Sequence, residues 1–135
     1  MIPHPSGPIM TLTHILTHRA PPPMGPYSQA VRFGDMIFVS GQLPLDKDGN
    51  LIGPGDIQIQ TKTVLESLNT ILEEAGSSLK KVVKTTIFLA NLDDFAAMNE
   101  VYARLLSSPY PARSTVEVSR FPGQVLIEID CIAFA

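Results

Sequence analysis

Residues 30–40 read Ala30-Val31-Arg32-Phe33-Gly34-Asp35-Met36-Ile37-Phe38-Val39-Ser40. Two short strand-like runs flank Gly34-Asp35, a dipeptide suited to a tight hairpin turn. The hairpin predicts an antiparallel pair near the start of the chain. A second pair of runs, about 113–120 and 125–134, meets at Phe121-Pro122-Gly123 near its end. Between the pairs lie two helical patterns and one further strand. Asp56 is a fitting N-cap, and Ile57, Val64, Leu65, Leu68, Ile71, Leu72 and Ala75 then recur at helical spacing. Gly76 suits the position that ends such a helix. Lys81-Val82-Val83-Lys84-Thr85-Thr86-Ile87-Phe88-Leu89 is rich in β-branched residues and reads as a central strand. Asp93 or Asp94 then caps a second helix with a Phe95, Met98, Val101, Tyr102, Leu105 stripe, ended by Ser107-Ser108-Pro109. Consecutive strands at both ends and only two helices predict an α+β domain, a mostly antiparallel sheet with both helices on one face. The other face needs cover, and copies of the same chain are its simplest source.

The bulk numbers agree. A chain of 135 residues is sized for one domain, and 44% hydrophobic residues suffice for a core. Charged residues are 17%, against roughly 25% in an average domain. A low-charge surface predicts an oligomer. The net charge of -3 and dispersed basic residues give no nucleic-acid footprint. No apolar run approaches the roughly 18 residues of a membrane span. The single cysteine, Cys131, rules out an internal disulfide and fits a reducing, cytoplasmic setting. A mitochondrial address is the alternative, because residues 1–23 contain Arg19 and no acidic residue.

Seven of the 12 prolines and all three histidines, His4, His14 and His18, fall within residues 1–26. Residues 1–18 are expected to be a partly flexible arm, loose over 1–9, with a short edge strand at 11–15. The body from residue 27 onward has no histidine. That disfavours a triad or a zinc centre, since both use a histidine held on a rigid element.

Two charges stand out in the closing strands, Arg113 and Glu128. By the period of two, Arg113, Thr115, Glu117 and Ser119 share one face of their strand, and Val116 and Val118 the other. The polar set is expected on the face away from the helices. Glu128 and Asp130 share a face opposite Ile127, Ile129, Cys131 and Ala133, so Arg113, Glu117 and Glu128 are expected near one sheet surface. Two readings stay open. One is an Arg–Glu ion pair at a subunit interface. The other is an arginine fork on a substrate carboxylate, with Glu128 positioning a water or moving a proton. Asn99 sits at the flank of the second helix's apolar stripe and needs a hydrogen-bond partner. Tyr27 follows the rigid Gly25-Pro26 turn, as a packing anchor or a ligand wall. Ser40-Gly41 closes a strand, where a glycine lets backbone approach a ligand.

Read together, Gly25-Pro26-Tyr27-Ser28-Gln29-Ala30, Ser40-Gly41-Gln42, Val83-Lys84-Thr85-Thr86, Asn91-Leu92-Asp93-Asp94-Phe95, Asn99-Glu100-Val101-Tyr102, Pro111-Ala112-Arg113-Ser114 and Ile127-Glu128-Ile129 resemble the RidA/YjgF family over residues 19–135. The resemblance implies a chorismate mutase-like fold of about six strands and two helices. It implies a homotrimer with a barrel-like core of sheets and clefts at the subunit interfaces. It implies hydrolytic deamination of enamines and imines such as 2-aminoacrylate and 2-aminocrotonate to 2-keto acids and ammonia, a 2-iminobutanoate/2-iminopropanoate deaminase with no cofactor. Arg113 would hold the substrate carboxylate and Glu128 would orient or activate water. Tyr27, Ser40, Gly41 and Asn99 would shape the cleft, and Thr115 would offer backbone contacts. Many members have cysteine where this chain has Thr115. Two other functions compete: a non-catalytic binder of 2-keto acids or related small metabolites, and an RNA-directed endoribonuclease or translation inhibitor, which the acidic pI of about 5.5 disfavours.

Overall fold

The computed structural model describes residues 10–135. The expected loose segment 1–9 lies outside the described residues. Six strands, β1 Leu12–Ile15, β2 Ala30–Phe33, β3 Met36–Gln42, β4 Val82–Leu89, β5 Ala112–Glu117 and β6 Ile127–Phe134, form one sheet. The helices are α1, Ile57–Glu74, and α2, Phe95–Leu105. The strand order is β1-β2-β3-β6-β4-β5. Every pair is antiparallel except β4 with β5, which is parallel because α2 carries the chain back across the sheet. The expected α+β architecture is therefore present, and the short strand expected at 11–15 is β1.

Local signals explain most boundaries. Gly34 turns the β2–β3 hairpin at φ 60. The Asp56 side chain accepts from the Gln58 and Ile59 amides and caps α1. At the other end Gly76, at φ 87, allows the Ser77 amide to reach back to the Leu72 carbonyl at 2.8 Å. The start of α2 differs from the expectation. Asn91, not an aspartate, accepts from the Asp93 amide and caps a single 3-10 turn, Leu92–Asp94, that leads into the helix. The Asp94 side chain makes no cap bond. The closing strands are shorter than expected, since β5 ends at Glu117 and β6 begins at Ile127.

The core lies between the helices and one sheet face. Val64, Leu65, Leu68, Ile71 and Leu72 of α1 and Met98 of α2 meet Ile37, Ile87, Leu89, Ile127 and Ile129, all buried. The opposite face is uncovered: Leu12, Phe33, Met36, Phe38, Val116 and Phe134 are exposed. A contiguous apolar sheet face of this kind marks an interaction surface.

Two buried amides tie irregular segments to this frame. Gln29 receives the Thr17 amide at 2.7 Å and donates to the Thr17 and Pro21 carbonyls, at 3.0 and 2.9 Å, which pins the proline-rich loop. Gln60 of α1 donates to the carbonyls of Gly53 and Gln124 and accepts from the Leu126 amide at 2.7 Å. That bond holds Leu126, the residue just before β6 and two residues before Glu128.

Candidate functional site

β5 starts where Pro111 leaves a proline-rich turn, and its second residue is Arg113. Arg113 stands beside Thr85 of β4, which stands beside Cys131 of β6. Thr85 and Cys131 are buried, so Arg113 projects toward the helix side at the sheet's edge. There its Nη1 donates to Oδ1 of Asn99 at 2.7 Å. The guanidinium also lies over two rings, with Cζ 5.0 Å from the Tyr102 centroid and 5.4 Å from that of Phe95. Such faces hold a cation in place and leave its hydrogen-bonding edge free. Tyr102 is fixed in turn by a 2.8 Å hydrogen bond between its hydroxyl and that of Thr85. Burial raises the Tyr102 phenol above its ordinary pKa, partly offset by that bond and by the Arg113 charge. A cleft of about 310 Å³ opens here, lined by Asn99, Tyr102, Ala103, Tyr110, Pro111 and Arg113. Thr115 follows on the same side of β5. Its hydroxyl oxygen is buried and has no partner within the chain.

The second group of predicted residues gathers elsewhere. Tyr27, Ser40, Gly41, Leu43 and Glu128 line a cleft of about 320 Å³. The Ser40 hydroxyl donates to the Ser28 carbonyl at 2.6 Å, and the Tyr27 hydroxyl accepts from the Met24 amide at 3.1 Å. Glycine at 41 has a steric cause. A Cβ there would stand 2.8 Å from both Cδ and Oε1 of Glu128, so the carboxyl rests directly on bare backbone. Burial first, and the Asp130 charge second, push the Glu128 carboxyl above its ordinary pKa. Asp130 is also raised, mainly by burial, against hydrogen bonds from Thr86 and the charge of Lys84.

The expected single polar surface does not form. Glu128 stands beside Phe88, and Phe88 beside Val116, so Glu128 shares the outer face with Val116. Arg113, Thr115 and Glu117 face the helices, and Val116 faces away, the reverse of the expectation. The cause is the edge position of β5: at the sheet margin the helix layer thins, so a polar side chain can face the helices and stay half-exposed. Arg113 and Glu128 accordingly make no ion pair with each other, and Glu117 instead accepts from the Leu92 amide at 2.9 Å. Asn99, expected to need a hydrogen-bond partner, finds it in Arg113 and lines the cleft beside it. Cys131 is a core residue as expected, its thiol pushed up to about 12 by burial.

Three contributors were not singled out from sequence. Phe95 and Tyr102 read as core stripe. With Asn99 they occupy positions i, i+4 and i+7 of α2, and that shared face was the available signal. Tyr110 carried no periodic signal because it sits in the turn. Among the described residues no three His, Cys, Asp or Glu side chains gather to share a metal ion. Among the described residues no helix is long and apolar enough to cross a membrane.

Comparison with known proteins places this geometry in a family. The model described as Endoribonuclease L-PSP matches residues 17–135. A RutC family protein of Pyrococcus abyssi is 54% identical over 120 residues, covering 89% of this chain and 94% of that protein. The crystal structure of RidA from the Antarctic bacterium Psychrobacter sp. superposes with a TM-score of 0.86 at 40% identity, covering 91% of this chain and 99% of that one. That of E. coli TdcF with bound serine superposes at 0.84, also at 40% identity, covering 91% and 98%.

Proposed function

Because this chain belongs to the Endoribonuclease L-PSP family, the RidA/YjgF proteins, we propose that it is an imine deaminase. It hydrolyses the short-lived imines and enamines of 2-amino acids to 2-keto acids and ammonia. One observation carries the reading. The predicted site residues fall into two half-sites, a braced but unsaturated arginine fork and a carboxyl of raised pKa, and both open to the surface. Their surfaces lie on opposite sides of one sheet, so a single chain cannot close both on one small molecule. A second copy can. Packing of the exposed apolar sheet face against neighbouring copies would bring the Glu128 cleft of one chain to the Arg113 cleft of the next, and a homotrimer closes such a heterologous contact into a ring.

In the joined site the free edge of Arg113 takes the substrate carboxylate, a bidentate contact. Thr115 backbone and Asn99 fix its orientation, and the Gly41 backbone closes over it. On the protonated imine, Glu128 removes a proton from water as the oxygen attacks the C=N carbon, giving a neutral carbinolamine. It then delivers that proton to nitrogen, and as the C–N bond breaks to release ammonia the carbinolamine hydroxyl gives its proton back to the Glu128 carboxylate, leaving the C=O of the keto acid. A carboxyl raised toward neutrality serves both steps. Serine bound to TdcF supports recognition of a small amino-acid carboxylate in this fold. The net charge of -3 favours a small anion on one fixed arginine over an extended polyanion.

The test is turnover. 2-Aminoacrylate generated in situ should give pyruvate faster in the presence of the protein, and Arg113→Ala should lose at least about a hundredfold, as expected for a charged bidentate contact. Full activity in that variant would sink the proposal. Ligand binding without turnover would leave the keto-acid binder standing.

A further inference from the structure

An imine carbon has three substituents: the carboxylate, the nitrogen and the side chain. If Arg113 holds the first and Glu128 of a neighbouring copy faces the second, the third must point along the remaining wall. That wall is the cleft between α2 and the start of β5. Its faces are the carbon surfaces of Tyr102, Ala103, Tyr110 and Pro111. The only other lining residues, Arg113 and Asn99, are already joined to each other. Among the described residues no carboxylate or second cation lines it. The whole cleft, carboxylate end included and before a neighbouring copy packs on it, measures about 310 Å³, more than a carboxylate and a methyl group fill. Tyr110 forms the outer end: its ring is half-exposed, and its hydroxyl donates to the Ala103 carbonyl at 3.3 Å, spanning the gap from the turn to the helix.

We propose that this shelf, with Tyr110 as its outer wall, binds the substrate side chain and selects apolar side chains longer than methyl. The inference rests on the carboxylate role assigned to Arg113 above. A branched aliphatic chain lying on Tyr110 and Pro111 leaves water without uncovering any polar group. A carboxylate-bearing side chain would meet carbon walls and lose its hydration.

Binding of product-like keto acids tests this apart from catalysis. In calorimetric titrations of the wild-type protein, 4-methyl-2-oxopentanoate should bind about tenfold more tightly than pyruvate, the scale of a few added carbons in an apolar site. 2-Oxoglutarate should bind no better than pyruvate. Tyr110→Ala should cut the tenfold preference to below about threefold and change pyruvate affinity less than about twofold. Tyr110→Phe, which keeps the ring, should keep the preference. Equal affinity for the two monocarboxylates in wild type, or an equal loss for both in Tyr110→Ala, overturns the proposal. Discriminating binding without hydrolysis of any imine overturns the deaminase reading and leaves the shelf. Hydrolysis without discrimination does the reverse, and binding of neither acid together with no hydrolysis overturns both.

Discussion

Arg113 and Glu128 lie on opposite faces of one sheet, three register positions apart along β4. If they act on one molecule, they act from different copies of the chain. Arg113→Ala and Glu128→Ala should each be inactive alone. When the two variants are co-assembled in equal amounts, a site with both residues arises wherever an Arg113-bearing half meets a Glu128-bearing half. Random assortment around a ring gives about a quarter of wild-type activity. Steady-state rates on the co-refolded mixture check this, and no recovery would place both residues of an active site in one chain.

Asn99 occupies one end of the arginine, which orients the fork. Asn99→Ala should lower kcat/KM by about tenfold to a hundredfold, the range for a hydrogen bond to a charged group. Most of the loss should appear in KM if, as proposed, Arg113 binds the carboxylate and Asn99 acts only by orienting it. An effect on kcat alone would contradict the assigned role.

Gly41→Ala puts a methyl group where the Glu128 carboxyl rests. Gly41 does not have a positive φ, so the backbone accepts alanine without strain. The variant should fold with near-wild-type thermal stability and lose about tenfold or more in kcat. Its crystal structure should show Glu128 swung away from residue 41.

Glu128 titrates with a raised pKa, so the folded state holds its proton to higher pH than the unfolded chain does. The folded state then binds more protons as pH rises past the unfolded value, and stability falls through the folded pKa. Glu128→Gln should remove that penalty. Its Tm should exceed wild type at pH 7, and the advantage should vanish at pH 4. An equal shift at both values would mean that the gain is not electrostatic.

Cys131 is 2% exposed and its thiol is pushed up to about 12. Thiolate is the reactive form. The native protein should therefore resist an aromatic disulfide reagent at pH 8, and one equivalent should react on addition of denaturant. Fast labelling of native protein would show that the core opens locally.

The elements that form the frame were legible because each carries its own local cause. Gly34 makes the hairpin, Asp56 and Gly76 bracket α1, and the β-branched run makes β4. The motif set also named residues that the structure gathers into two clefts, Asn99 and Arg113 in one and Tyr27, Ser40, Gly41 and Glu128 in the other, while Tyr110 was not named. The faces were not. Strand periodicity states which residues share a side but not which side meets the helices, and β5 pairs in parallel at an edge where burial is weak. Arg113 was assigned to the outer face because polar residues ordinarily face away from a core. The aromatic support from Phe95 and Tyr102 was masked for a related reason, since a ring that holds a guanidinium and a ring that fills a core obey the same helical spacing.

Gln60 shows how far such support extends. It is fully buried in the helix layer, yet its carboxamide receives the Leu126 amide and so fixes the start of the strand that carries Glu128 on the far face. A helix residue that never meets solvent or substrate is thereby answerable for the aim of a carboxyl on the other side of the protein. A leucine of similar volume there would leave the Gly53 and Gln124 carbonyls and the Leu126 amide without their partner, and with them the tie that holds the start of β6.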